Sequence, residues 1–445
     1  MLFSLTQNDP NHPRRKRDSG WSYLVCGCAT LCQTINMGLA TSFGVLFPVI
    51  IKRFNSSRQE TAWIGSLQSF LIFFASPVAG RMSEKFSCRY VSMIGAVTSA
   101  IGLVLSSFAN SIIIHYLTYG LLFGFGSSCV RTSSFLVVAK YFDKRRPFAT
   151  GILTSGAGLG LFVLAPVVRA LLDNFSLENT FRFLAGIAFV GGIPALTFDP
   201  NVEQDNPNNS NSQLEEEGSR KERKTKIIVD CSVWTVPAFT VFALALAMDR
   251  FGGAITRMHL VKYSEEQGIC PDNSAKLLMF YGLSSCIARL LAGRVCDLTW
   301  VNPHYVFQVG NFIAALSIIF APLARSYIHF LVCSLFFGVG AGISISTSNL
   351  IFLTCVDERR RASAFGLASC LASFSVLSSP PLAGFLADTL ESYAPSFYLA
   401  GGVLLLCAVL PFVLLCVKVK NRNDQSDQEM IAMEEDGQIQ NVSAC

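Results

Sequence analysis

The chain has 445 residues, 51% of them hydrophobic and only 15% charged, with a formal net charge of +5 and a mean hydropathy of +0.45. Soluble domains carry about a quarter charged residues, so this composition excludes a water-soluble all-α globule. Apolar runs of about 20 residues recur along nearly the whole length. They mark an all-α polytopic membrane protein whose backbone polar groups are satisfied inside helices.

In chain order, residues 1–20 form an N-terminal segment whose polar part, Met1 to Arg17, ends in Arg14-Arg15-Lys16-Arg17. A basic cluster directly before the first apolar run reads as a cytosolic anchor rather than a signal peptide or a nucleic-acid-binding patch. Six spans follow, at 21–50, 62–80, 91–109, 112–139, 148–171 and 181–198, which make an N-terminal bundle over 21–198. Residues 199–231 are Asn/Ser-rich, then acidic at Glu215-Glu216-Glu217, then basic from Lys221 to Lys226. That stretch is too polar to fold alone and reads as a cytosolic linker. Six more spans, at 232–262, 275–293, 303–324, 328–355, 362–387 and 396–417, make a second bundle over 232–418, and a cytosolic tail closes the chain at 419–445. Most of the 15 cysteines lie in apolar segments, where they serve as small hydrophobes. Cys26 and Cys28 point about 200° apart on a helix and have no histidine near them, so no metal site is expected.

Orientation follows from the lysines and arginines. With both termini inside, 23 lie in inner segments and eight in outer ones, and four remain within spans, accounting for all 35. This bias predicts cytosolic termini and an even number of spans.

One offset relates the two halves. Arg145-Arg146-x-x-Ala149-x-Gly151 recurs 215 residues later as Arg360-Arg361-x-x-Ala364-x-Gly366, and Pro166 and Asp173 recur as Pro381 and Asp388. An offset of six spans preserves orientation, so the halves are parallel. Twelve helices in two parallel six-helix halves is the arrangement of the major facilitator fold. Gly80-Arg81-Met82-Ser83-Glu84-Lys85 after span 2 resembles that superfamily's loop signature, and Gly293-Arg294-Val295-Cys296-Asp297 repeats it after span 8. These elements predict an inner gate built from Glu84, Lys85, Asp297, Arg145, Arg146, Gly151, Arg360 and Arg361.

Within the spans, a charge costs at least ~2.5–3.5 kcal/mol on insertion scales and so marks function. Arg289 in span 8 has the fork geometry to grip a carboxylate. Arg131 lies nine residues before Lys140, roughly 13 Å from the membrane edge. Asp249 and Arg250 precede Gly252-Gly253, which predicts a helix broken at a binding site. Asp249 is the expected pairing and proton-carrying group. Arg257 is expected to snorkel toward the outer end, and His115 and His259 to sit near the outer surface.

Three stretches point to one family. Asp18-Ser19-Gly20-Trp21-Ser22-Tyr23 resembles the opening of helix 1 in monocarboxylate transporters, and Tyr141-Phe142-Asp143-Lys144-Arg145-Arg146 resembles the start of their helix 5. Arg289 with Gly293 and Asp297 is similar to their helix 8 pattern, and Thr61-Ala62-Trp63 and His259-Leu260-Val261-Lys262-Tyr263 add further matches. Lactate-type members carry a lysine where this chain has Thr41 and an aspartate where it has Ser285, so the chain resembles a divergent member. The resemblance implies a plasma-membrane carrier, secondary active or facilitative, that moves a small organic monocarboxylate by alternating access. Arg289, Arg131, Asp249, Arg250, Ser285 and Thr41 would form its substrate site. Two alternatives stand beside it: an uncoupled facilitator of amino acids or aromatic carboxylates, and a non-transporting sensor. Some members need a single-span ancillary glycoprotein to reach the surface, which the resemblance leaves open. No chemical cofactor is expected. HExxH, Walker and Gly-x-Ser-x-Gly motifs are missing from the sequence, so it does not read as an enzyme.

Overall fold

The computed structural model describes residues 17–142, 145–198, 231–296, 298, 301–354 and 361–412. Eleven helices among these are long and apolar enough to cross a membrane, and a bent pair makes the twelfth. The first half comprises α1 (Gly20–Phe54), α2 (Arg58–Phe74 with Ser76–Phe86), α3 (Cys88–Ser106), α4 (Ile112–Tyr141), α5 (Arg146–Asn174) and α6 (Leu177–Thr197). The second comprises α7 (Pro237–Glu266), α8 (Pro271–Cys296), α9 (Pro303–Leu323), α10 (Tyr327–Thr354), α11 (Arg361–Thr389) and α12 (Ala394–Phe412). Proline begins α7, α8 and α9, a position where its missing N–H costs nothing.

The internal repeat is visible in the packing. α1 packs on α5, α3 on α4 and α3 on α6, and six helices later α7 packs on α11, α9 on α10 and α9 on α12. Small residues set these crossings. A Cβ on Gly95 would meet the Gly126 carbonyl at 2.8 Å, and one on Gly310, 215 residues later, would meet the Gly340 carbonyl at 3.0 Å. The halves meet along α5 with α8 and along α2 with α11, two contacts that the same six-helix shift exchanges. Twelve spans in two parallel sixes is the major facilitator fold.

The breaks in the helices fall elsewhere than the glycines suggest. α7 is continuous through Gly252-Gly253, because Gly252 fits against the Ala400 carbonyl and Leu404 of α12. The interruption is in α1, at Ser42 between Gly20–Thr41 and Phe43–Phe54. Pro48 cannot bond the Gly44 carbonyl one turn back, which loosens that turn. The segments of α2 meet at 47°, at Ala75 just before Pro77, again a proline bend.

Of the expected gate residues, Asp297 and Arg360 lie outside the described residues. Arg146 and Arg361 begin α5 and α11. Glu84 and Lys85 are exposed at the end of α2. Arg145 Nη1 donates to the Tyr23 hydroxyl of α1 at 2.8 Å, a contact within the first half. Gly151 has open space around it, so it is no packing notch. Gly156 and Gly160 are: both press on α1, at Thr30 and at Thr34 and Gly38.

Candidate functional site

A cavity of about 150 Å³ lies between the halves. α1 contributes Gln33, Thr41 and Phe43, α2 Gln68 and Phe73, α4 Arg131 and Phe135, and α5 Thr154 and Gly158. From the second half come Arg250 and Arg257 of α7, Tyr281, Ser285 and Arg289 of α8, Ile345 of α10, and Val376 and Pro380 of α11. The break at Ser42 and the bend at Ala75 both occur beside lining residues, so the irregular backbone sits where it borders a cavity rather than lipid.

Arg289 is buried, with its Nη1 donating to the Thr154 carbonyl of α5. Its Nε is buried without a partner, and Ser346 Oγ of α10 donates to the Arg289 backbone carbonyl at 3.2 Å. One edge of the guanidinium thus bridges the two halves while Nε remains unsatisfied. Ser285, one turn earlier, has a buried hydroxyl with no partner. Thr41 Oγ1 donates to the Met37 carbonyl at 2.7 Å, so this hydroxyl can only accept from an occupant.

Arg131 enters from α4. Its guanidinium carbon sits 4.7 Å from the Phe73 ring and 5.2 Å from the Phe135 ring, contacts that suit a cation held out of water. Its hydrogen bond to Ser76 Oγ is long, at 3.4 Å. The bend of α2 is what places Phe73 and Ser76 beside it.

Asp249 and Arg250 point different ways, and only Arg250 lines the cavity. Adjacent helix residues diverge by about 100°, and Asp249 lies outside the cavity lining. It is buried and accepts from Ser344 Oγ of α10 at 2.6 Å, with Arg250 Nη1 3.6 Å from its other oxygen. The expectation that Asp249 faces substrate therefore fails on helix geometry. Arg257 shows the reverse. It does not snorkel outward but lines the cavity, because seven residues bring it within about 20° of Arg250 on the same helix face. Gly44 of α1 lets the two backbones close: a Cβ there would meet the Arg257 carbonyl at 2.7 Å. That seven-residue spacing was the overlooked signal in the sequence. His259 and His115 are buried rather than superficial. His259 Nε2 lies 2.9 Å from the Pro380 carbonyl.

At the end away from the N-terminus, two sets of ion pairs tie the halves together. Arg58 of α2 binds Glu266 of α7 at 2.7 Å and Asp388 of α11 at 3.4 Å. Asp388 also accepts from the backbone N–H of Gln59 at 3.0 Å, at the positive end of α2. On the related side Arg169 of α5 binds Asp272 of α8 at 3.0 Å and pairs with Asp173 on its own helix. The repeated aspartates Asp173 and Asp388 thus serve this seal. Arg58 also lies over the Tyr393 ring, at 5.2 Å. Burial pushes the Tyr393 phenol well above the usual 10, so the seal contains a neutral hydroxyl.

In charge terms, four guanidiniums line the cavity and, among the described lining residues, no carboxylate does. Two like charges 4 Å apart repel by about 4 kcal/mol at an effective dielectric constant near 20, so such a cavity favours anions strongly.

Comparison with known proteins agrees with this architecture. The model of the Major Facilitator Superfamily matches residues 29–299 and 242–435. Monocarboxylate transporter 10 of Homo sapiens is 31% identical over 400 residues, covering 88% of this chain and 78% of that protein. Monocarboxylate transporter 12 of Xenopus laevis is 28% identical over 455 residues, covering 97% and 96%. Monocarboxylate transporter 3 of Gallus gallus is 27% identical over 425 residues, covering 89% and 78%. A bacterial homolog of the human lysosomal transporter Spinster, solved inward-facing and unoccupied, has the same fold, with a TM-score of 0.66 at 16% identity over 89% of this chain and 97% of that one. With Thr41 and Ser285 where lactate-type carriers have a lysine and an aspartate, this chain is a divergent member of the monocarboxylate transporter family of the major facilitator superfamily, a multi-pass membrane transporter and not an enzyme.

Proposed function

We propose that this transporter moves a small organic carboxylate across the plasma membrane by alternating access, with Arg289 as the group that grips the carboxylate. The observation that carries the reading is the convergence of Arg131, Arg250, Arg257 and Arg289 on one cavity with no carboxylate among its described lining residues. The lysine and arginine bias of 23 to 8 supports cytosolic termini. It would place the Arg58 and Arg169 seal on the outer side. Facilitated transport is favoured over proton symport through Asp249, which is turned away from the cavity onto Ser344. An amino-acid substrate has less support, since its ammonium group would enter among four guanidiniums.

Uptake of radiolabelled carboxylates by purified protein in proteoliposomes tests the reading. Saturable uptake that competes with unlabelled carboxylate is expected; uptake no greater than in empty liposomes for every acid tried would overturn it.

Alternating access makes a second demand. Opening the outer side requires Arg58 and Arg169 to release their partners on the other half. Arg58→Ala with Arg169→Ala should therefore favour the outward-open state. In cells, Gln68→Cys in the cavity should react several-fold faster with an impermeant thiol reagent when both arginines are removed. The rate is read above the background of the native cysteines, and an unaltered rate would mean that the seal lies elsewhere.

A further inference from the structure

We infer that the preferred substrate is a dicarboxylate, with one carboxylate on Arg289 and the other on Arg131, and that Arg131 sets this preference. The inference rests on the cavity being the substrate site, as proposed above.

Asp249, 3.6 Å from Arg250, offsets one of the four guanidiniums. Arg131, Arg257 and Arg289 have no carboxylate partner in salt-bridge reach among the described residues. A monocarboxylate on Arg289 would leave the half-buried Arg131 and Arg257 uncompensated, an arrangement that is costly where the dielectric constant is low. A dianion removes most of that imbalance.

Arg289 belongs to the second half and Arg131 to the first, and both line the same cavity. Arg131 of the first half and Arg250 of the second line the same cavity, so an anion between the halves meets cations from both sides. Each end has spare donors. Arg289 Nε is buried and unpartnered, and the one hydrogen bond from Arg131, to Ser76 Oγ, is 3.4 Å long. The rings of Phe73 and Phe135 hold the Arg131 guanidinium without using its N–H groups.

Size agrees. An apolar cavity of about 150 Å³ accepts a molecule such as benzene, and this cavity has the same volume. A diacid of about four carbons is of that scale, while a nucleotide is far larger. The bridging geometry also supplies a reason for the halves to move. A ligand shifts a conformational equilibrium only by its difference in affinity between states. An anion with charges at both ends touches both halves at once, whereas a monocarboxylate on Arg289 reaches Arg131 with nothing but carbon.

The test compares succinate with butyrate, diacid and monoacid of equal chain length, in proteoliposomes at about pH 7.5, where both ends of succinate are ionised. Wild-type protein should take up succinate with a kcat/KM about tenfold or more above that for butyrate. Arg131→Gln should lower the succinate-to-butyrate ratio by about tenfold, and Arg131→Lys should recover part of it. The thermal unfolding midpoint of the purified wild-type protein should rise more with succinate than with butyrate at equal concentration, a readout that does not depend on the variant folding.

Equal or better uptake of butyrate, or an Arg131→Gln variant that lowers both substrates alike, overturns the inference. Butyrate uptake that needs Arg289, without succinate uptake, overturns it and leaves the carboxylate carrier standing. Saturable uptake of neither acid overturns both.

Discussion

Arg289→Gln should lower kcat/KM for carboxylate uptake by about 30-fold to more than 1,000-fold. The range follows from truncating one partner of a buried, hydrogen-bonded charge pair, which costs about 2–5 kcal/mol, at about 1.4 kcal/mol per factor of ten. Glutamine is close in length but has no charge and no fork. It cannot keep the contact to the Thr154 carbonyl and also present the planar edge that holds the unpartnered Nε–H. Arg289→Lys keeps the charge but loses the planar donor edge, so it should fall between the two. Initial rates in proteoliposomes, normalised to protein incorporated, give the measurement. An Arg289→Gln variant within about threefold of wild type would remove Arg289 from the binding role.

The second large effect is structural. Gly160→Ala should prevent α1 and α5 from seating, because the added methyl collides with the Thr34 carbonyl and lies 2.9 Å from the Gly38 Cα. Backbone cannot rotate aside as a side chain can, so the cost should reach or exceed the ~1–3 kcal/mol typical of overpacking. Gly151→Ala on the same helix has open space and should be silent. Yield of monodisperse detergent-solubilised protein and its unfolding midpoint distinguish the two. A Gly160→Ala protein as stable as Gly151→Ala would contradict this packing.

The contrast shows what sequence can and cannot supply. The 215-residue offset was readable because it links residues of the same type along the chain. It reappears in space as the Gly95 and Gly310 crossings. The four cations left inside spans after orientation, Arg131, Arg250, Arg257 and Arg289, are the four that line the cavity. Charges in lipid need a shared wet site; three of the four were expected at the substrate site, while Arg257 was expected at the outer end. Their directions were harder. Asp249 and Arg250 are neighbours in sequence yet face different surroundings, and only the setting of α7 against α10 and α12 decides which one faces the cavity. The break in α1 was hidden for a similar reason. Gly252-Gly253 looked the weaker point, but α12 fills the space beside Gly252, while Pro48 weakens α1 with a single residue. The seal at Arg58 was legible only as a repeated aspartate, because the partners of Arg58 come from two other helices, α7 and α11.

The arginine-bearing face of α7 also bears on how the protein is made. Alone in lipid, Asp249, Arg250 and Arg257 would each cost about 2.5–3.5 kcal/mol near the helix centre, against at most ~0.6 kcal/mol gained per large apolar residue. In the finished fold Asp249 rests on Ser344 of α10, and the glycine beside the charges fits against α12. Both partners are synthesised after α7. This helix therefore leaves the ribosome before the groups that stabilise it exist, and it settles in the bilayer only once the end of the chain has emerged. Truncation beyond α7 but before α10 should leave it a substrate for membrane quality control.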